Sequence, residues 1–238
     1  MIHRPDFPAP PFVEIRITCR QGGYSQPPFD DFNLALHVGD HPEAVQKNRR
    51  LLDRHLPASP HWLEQKHGAH VIEIPNEDHE ADASIARIPD TVCAILTADC
   101  LPILLADRQA EAVAAIHAGW RGLSQDIIEA TVTKMAIPPG RLWAYLGPAI
   151  GPECYEVGEE MIAAFKPIDR SAFYQKGNHW HCDLFALAKT RLSALGIKAV
   201  FSDFLCTACD PRFFSYRRDK TTGRMASLIW LAAKRQNP

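Results

Sequence analysis

Apolar and polar side chains alternate early in the chain: Val13, Ile15 and Ile17 fall on one parity, Glu14, Arg16 and Thr18 on the other. That period belongs to a strand with one wet face. Residues 92–98 and 102–106 are apolar on both parities, and 111–116 adds a third short run; these predict central strands buried on both faces. Residues 62–65 and 70–74 read as two extended pieces around Lys66-His67-Gly68, which puts His67 at a strand end or turn. Three helices are predicted. The first starts at Pro42, a residue suited to a first helical position, and runs without glycine to about His55, with Val45, Leu52 and Leu56 spaced seven and four apart. The second is capped by Ser124 and carries the stripe Ile127, Ile128, Val132 and Met135. The third is capped by Asp183, carries Leu184, Leu187, Leu192 and Leu195, and stops at Gly196. Residues 213–218 and 224–231 predict a closing hairpin. The element order is too irregular for a βαβ series, so the expected fold is α+β, a mixed two-sheet β core covered by helices, in one domain over 1–238.

Composition narrows the partners. Of 238 residues, 46% are hydrophobic and 23% charged, which excludes a disordered or collagenous chain. A net charge of −2 and the lack of a basic block argue against nucleic acid or an anionic membrane as partner. The proline-rich opening lacks the apolar core of a signal peptide, and the expected location is the cytoplasm. Seven cysteines, an odd and scattered set, predict reduced thiols.

Three short segments concentrate chemistry: Gln65-Lys66-His67-Gly68, Thr97-Ala98-Asp99-Cys100-Leu101-Pro102 and His117-Ala118-Gly119-Trp120-Arg121-Gly122. Each puts a metal-capable side chain at a strand end. One thiolate and two imidazoles suit zinc and leave an open fourth position. Spacings of 33 and 17 residues do not by themselves distinguish such a triad from a turn histidine, a buried thiol and a core histidine. The loop entering the Ser124 helix is glycine-flanked, and an anion near Arg121 or a plain solvated turn both fit it. Cys206-Thr207-Ala208-Cys209 has C-x-x-C spacing but no second pair and no thioredoxin-like context, so it reads as coincidental. His179-Trp180-His181-Cys182 is a lone His-x-His pair, which does not support a multicopper centre.

These three segments occur in order with Arg20-Gln21-Gly22-Gly23-Tyr24-Ser25, Asn33-Leu34, His37-Val38-Gly39-Asp40, Asn48-Arg49, Leu146-Gly147-Pro148-Ala149-Ile150-Gly151 and Phe214-Ser215-Tyr216-Arg217-Arg218-Asp219. In this the chain resembles the bacterial YfiH family, also called the laccase-domain or polyphenol oxidase family. Tyr24, Phe32 and Cys209 depart from its pattern. The resemblance implies a two-sheet core related to cysteine-hydrolase-like toxins, and a zinc ion on His67, Cys100 and His117. It also implies phosphorolysis of adenosine, inosine or methylthioadenosine to free base and ribose-1-phosphate, with adenosine deamination as an associated activity. Within that reading, Cys100 belongs to the catalytic centre and Asp99 is a proton relay, provided the strand ends there; otherwise alternation turns Asp99 away from Cys100. Arg20, Arg49 and Arg121 are the candidates for phosphate or ribose. Expected partners are purine nucleosides and phosphate, and the expected assembly is a monomer or homodimer. The alternatives are a copper-dependent polyphenol oxidase (laccase), a metal-free thiol hydrolase or amidase with Cys100 as nucleophile and His117 as base, and a metal-binding accessory protein without turnover.

Overall fold

The computed structural model describes residues 2–5 and 8–233; Met1, Asp6 and Phe7 of the proline-rich opening lie outside them. Two sheets carry the core. One is four-stranded, in the order β1 (Ile2–His3), β2 (Val13–Thr18), β13 (Met225–Leu231), β5 (Cys93–Thr97). The other is six-stranded, in the order β12 (Ala199–Ser202), β8 (Leu142–Leu146), β6 (Leu101–Asp107), β7 (Val113–Ala118), β4 (Ala83–Ala86), β3 (Val71–Ile74), with parallel pairs at both edges and antiparallel pairs between. The α+β expectation is therefore met. A further small sheet, which the sequence reading lacks, joins β10 (Phe173–Lys176), β11 (His179–Cys182) and β9 (Glu156–Val157).

The two apolar parities of the central strands go to different cores. In β6, Leu104 and Ala106 pack between the sheets, whereas Leu101, Ile103 and Leu105 meet the helices on the far side. In β13, Met225, Ile229 and Leu231 face inward, and Ala226, Leu228 and Trp230 lie under an outer layer. Strand β2 keeps its wet face only in part: Val13, Ile15 and Ile17 are buried between the sheets and Glu14 and Arg16 stay part-exposed, the Arg16 guanidinium 5.2 Å from the Trp230 ring centroid, but Thr18 on the polar parity is buried, its hydroxyl accepting from the Ala226 amide. Helix α1 (Pro42–Asp53) covers the four-stranded sheet through Leu52. Helices α3 (Ile127–Met135) and α5 (Leu184–Ala194) cover the six-stranded one. Asp183 caps α5 by accepting from the amides of Phe185 and Ala186, and Gly196 takes φ +91° just past its end, where a side chain would be strained.

Three local expectations are corrected. Ser124 does not cap a helix. It ends the short helix α2 (Trp120–Ser124), donating to the Arg121 carbonyl, and α3 starts after Asp126 in left-handed geometry. The Asp126 carboxylate is drawn off to Lys166 and Arg191, and Arg121 lies inside α2 rather than in a loop that leads into a Ser124-capped helix. Residues 62–65 form no strand, because Gln65 supplies sheet-like bonds from its side chain instead. Residues 213–218 form no hairpin arm: Ser215 caps helix α6 (Tyr216–Asp219) by accepting from the Arg218 amide, and β13 pairs with β2 and β5. The remaining helix, α4 (Glu159–Ala163), is one turn over the edge of the core. Among the described residues no helix is long and apolar enough to cross a membrane.

Candidate active site

The antiparallel register of β6 and β7 pairs Leu101 with Ala118 and Pro102 with His117. One step beyond this ladder Cys100 therefore lies opposite Gly119. Strand β5 ends at Thr97, and Asp99 turns the chain back with φ +91°, a left-handed conformation rare outside glycine. His67 comes from the loop before β3, also left-handed at φ +60°. Two side chains fix that loop. The Gln65 amide exchanges two 2.8 Å hydrogen bonds with the backbone of Leu96, doing for one residue what a paired strand would do. Asp82, which enters β4 beside His117, accepts from the amides of Lys66, His67 and Gly68 at 3.1, 2.9 and 2.7 Å.

Asp82 also accepts the His117 Nδ1 proton at 2.8 Å. This fixes the His117 tautomer and leaves Nε2 toward Cys100. Sequence reasoning missed Asp82: a lone acid ahead of Ala83-Ser84-Ile85-Ala86 reads as a solvated turn residue, yet it is 1% exposed. Burial would raise its carboxyl, but the bonds from His117 and the loop amides outweigh that and hold it below the ordinary carboxylate range.

One nitrogen each from His67 and His117 and the Cys100 sulfur lie within 4.8 Å of one another. The imidazoles meet edge to face at 4.6 Å between centroids. Burial alone would raise the Cys100 thiol; the His117 charge and the hydrogen bonds from both histidines reverse this and pull it down. Burial would likewise lower His117, but the Cys100 and Asp82 charges raise it. Without a metal both shifts run in the direction of a thiolate beside an imidazolium. The donors also frame a cradle that only glycine leaves open. A Cβ at Gly119 would lie 3.1 Å from Cys100 Sγ, 3.2 Å from His67 Cδ2 and 3.7 Å from His117 Nε2. One soft and two borderline donors around such a gap fit a zinc-type ion. Gly119 has φ −69°, which any residue tolerates. Gly119→Ala is therefore expected to fold, losing about 1–3 kcal/mol because the new methyl crowds Cys100 and His67 without straining the backbone, while metal affinity drops sharply. Parallel thermal unfolding and metal analysis check this.

The triad lines a cavity of about 480 Å³, together with His37, Asp99, Trp120, Arg121, Tyr155, Tyr216, Arg217 and Arg224. Of the three predicted anion contacts the structure brings only Arg121 to it, with the guanidinium 4.4 Å from the Trp120 ring centroid. Arg49 bonds the Leu34 carbonyl and stacks at 4.2 Å on Trp62 in an adjoining groove. Arg20 does not line the cavity. It binds Asp30, approaches Asp219 at 3.5 Å and lies over Phe214, holding the loop at 20–32 together. Asp99 is at the wall, and both its oxygens are engaged, one by the Thr207 hydroxyl and one by the Arg217 amide, each at 2.6 Å. Sequence reasoning assigned no role to His37, Arg217 or Arg224, although two of them lie inside quoted motifs. Burial together with the Arg224 and Arg49 charges lowers His37, which favours its neutral form. The His179 and His181 rings do not converge: His179 meets Glu156, and His181 meets the Pro152 carbonyl.

The family described as multi-copper polyphenol oxidoreductase laccase matches residues 14–232. The chain is 47% identical over 236 residues to a protein of Escherichia coli K12 named purine nucleoside phosphorylase YfiH, covering 95% of this chain and 97% of that one. It is 48% identical over 234 residues to a purine nucleoside phosphorylase of Pseudomonas aeruginosa, with the same coverage. Among solved structures, a Neisseria meningitidis protein superposes with TM-score 0.92 at 42% identity, over 98% of this chain and 99% of that one. YlmD from Geobacillus stearothermophilus follows at 0.87 and 31%, over 94% of both chains. With a match over residues 14–232, which takes in its core strands, its cavity and the three converging segments, the chain belongs to the laccase-like YfiH family.

Proposed function

We propose that the chain is a zinc-dependent purine nucleoside phosphorylase, cleaving inosine, adenosine or methylthioadenosine with phosphate to the free base and ribose-1-phosphate. The observation that carries this reading is the convergence of His67, Cys100 and His117 on the wall of a cavity large enough for a nucleoside; the names of the relatives agree with it. The three side chains would hold the ion. When bound, it supplies Lewis acidity that orients or polarises an oxygen of a reactant. The rest falls to the protein. Trp120, Tyr155 and Tyr216 offer flat apolar faces to a purine. Arg121 and Arg224 put positive charge on the cavity wall, which suits an anionic nucleophile. Asp99 works through others: its two hydrogen bonds fix Thr207 and the start of α6, and so set where Tyr216 and Arg217 stand. A single zinc-type ion is preferred to a multicopper centre because such a centre needs several separated His-x-His pairs and the sequence carries one, His179 and His181.

Purified protein should release hypoxanthine from inosine only when phosphate is present, with ribose-1-phosphate formed in equal amount. Release at the same rate without phosphate would make it a hydrolase. Arg121→Lys keeps the charge but loses the planar fork and the stack on Trp120. Phosphate KM should rise by the equivalent of about 1–3 kcal/mol, with bound zinc unchanged. An unchanged KM would move the anion contact to Arg224. The Cys100–His117 contact, with the thiol shifted down and the imidazole up, also favours a second reading, a thiol hydrolase. That enzyme would keep its activity after chelation and lose it on alkylation.

A further inference from the structure

Outside the cavity triad, the described residues contain one other group of converging metal-capable side chains. The sulfurs of Cys154, Cys206 and Cys209 all lie within 4.8 Å of one another, and all three cysteines are free. We propose that these thiols form a second metal site, for a thiophilic divalent ion of the zinc type, with solvent in the fourth position.

The C-x-x-C spacing alone reads as coincidental, because no partner is visible near it in sequence. The fold supplies one from 52 residues upstream, at the end of the short 3-10 helix Pro152–Cys154. The approach is built into the backbone. Ala149 bridges to Cys206, with Thr207 N–H donating to the Ala149 carbonyl at 2.9 Å. Gly151 then passes so close that a Cβ there would sit 3.1 Å from both the Cβ and Sγ of Cys206. Its amide donates to that sulfur at 3.1 Å, and the amides of Ala208 and Cys209 also point at it. Amide donors aimed at one sulfur favour a thiolate, the ligand form of cysteine.

Three sulfurs each about 2.3 Å from one ion lie somewhat under 4 Å apart, a spacing this cluster reaches with small side-chain rotations. Cys154 and Cys209 stand 3.1 Å apart as thiols. A disulfide between those two would leave Cys206 and its amide donors without a function, whereas one ion uses all three. Positive charge to offset three thiolates is at hand. Arg217 reaches the Cys154 carbonyl at 3.2 Å, and Arg218 reaches the Thr207 and Ala208 carbonyls at 2.9 and 3.3 Å. Cys209 is exposed, which leaves an entry path and room for water. Such an ion would clip together two loops that back the cavity, since Tyr155 follows Cys154 and Thr207 holds Asp99.

The test is a cadmium titration of the full chain under reductant, read by the ultraviolet thiolate-to-metal charge-transfer band. The wild type should take up two equivalents, one of them with about three times the amplitude of the other, because three Cd–S bonds form at one site and one at the other. Cys100→Ser should keep the larger step, whereas Cys209→Ser and Cys154→Ser should each lose it. Two variants on different loops, checked by circular dichroism, guard against a misfolded single one. No charge-transfer step in Cys100→Ser, or an undiminished larger step in both loop variants, would overturn the proposal. So would a Cys154–Cys209 disulfide found by peptide mapping in protein kept reduced throughout.

Discussion

Asp82→Ala should be the most destabilising single change near the site, at about 3–5 kcal/mol, and should weaken zinc binding as well. The first effect follows from what Asp82 holds: one buried carboxylate accepts from three consecutive loop amides and from His117. Removing it leaves those donors facing an apolar gap and leaves the His67 loop, already in left-handed backbone geometry, without its anchor. The second follows because a ligating imidazole with no acceptor for its other nitrogen loses its orientation, typically about 10–100-fold in affinity. Asp82→Asn separates the two effects. It keeps the shape and one acceptor oxygen but turns an NH2 group toward donors, so stability should recover in part while zinc affinity stays low. Asp82 has a lowered carboxyl pKa in the fold, so its stabilisation is complete above the ordinary carboxylate range and disappears as pH falls through the lowered value. Denaturant unfolding from neutral to acid pH, with chelator competition for zinc, measures all of this. Variants with wild-type stability and affinity would reduce Asp82 to a spectator.

Cys100→Ser should do the opposite, with little change in stability and a large loss of activity. Cys100 lies one residue outside the β6 ladder, and serine is nearly isosteric, so unfolding of the two proteins freed of metal should differ by no more than about 1 kcal/mol. The ion gives up its one soft donor at this site, and bound zinc should fall by one equivalent. If the ion contributes several kcal/mol to the transition state, inosine phosphorolysis should drop by roughly a thousandfold or more. Activity within tenfold of the parent would place the chemistry elsewhere in the cavity.

The central strands were legible because both parities of β5, β6 and β7 are apolar, a pattern that only two-sided burial rewards. Helix α5 was legible from Asp183 and Gly196, whose cap and stop act within one turn. What failed was decided at longer range. Ser124 has the chemistry of a cap, but Lys166 and Arg191 take hold of Asp126 and move the helix start two residues on. Residues 213–218 have strand-like aromatics, yet β13 is claimed on both edges by β2 and β5 and leaves no partner for them. The triad was visible as three motifs, but neither Asp82, which orients His117, nor the approach of Cys154 to Cys206 carries any local signal. Among the arginines residue type could not sort the set. Arg20, Arg49 and Arg121 are chemically equal in sequence, and only packing sends the first to Asp30, the second to Trp62 and the third to the cavity.

The proposed chemistry depends on a metal ion at His67, Cys100 and His117. Crystals of protein purified without added metal, measured on both sides of the zinc absorption edge, would locate it directly. An anomalous peak about 2.3 Å from Cys100 Sγ and about 2.0–2.1 Å from a nitrogen of each histidine, vanishing below the edge, is the predicted result. No peak between these three side chains, or one that persists below the zinc edge as a different metal, would contradict it.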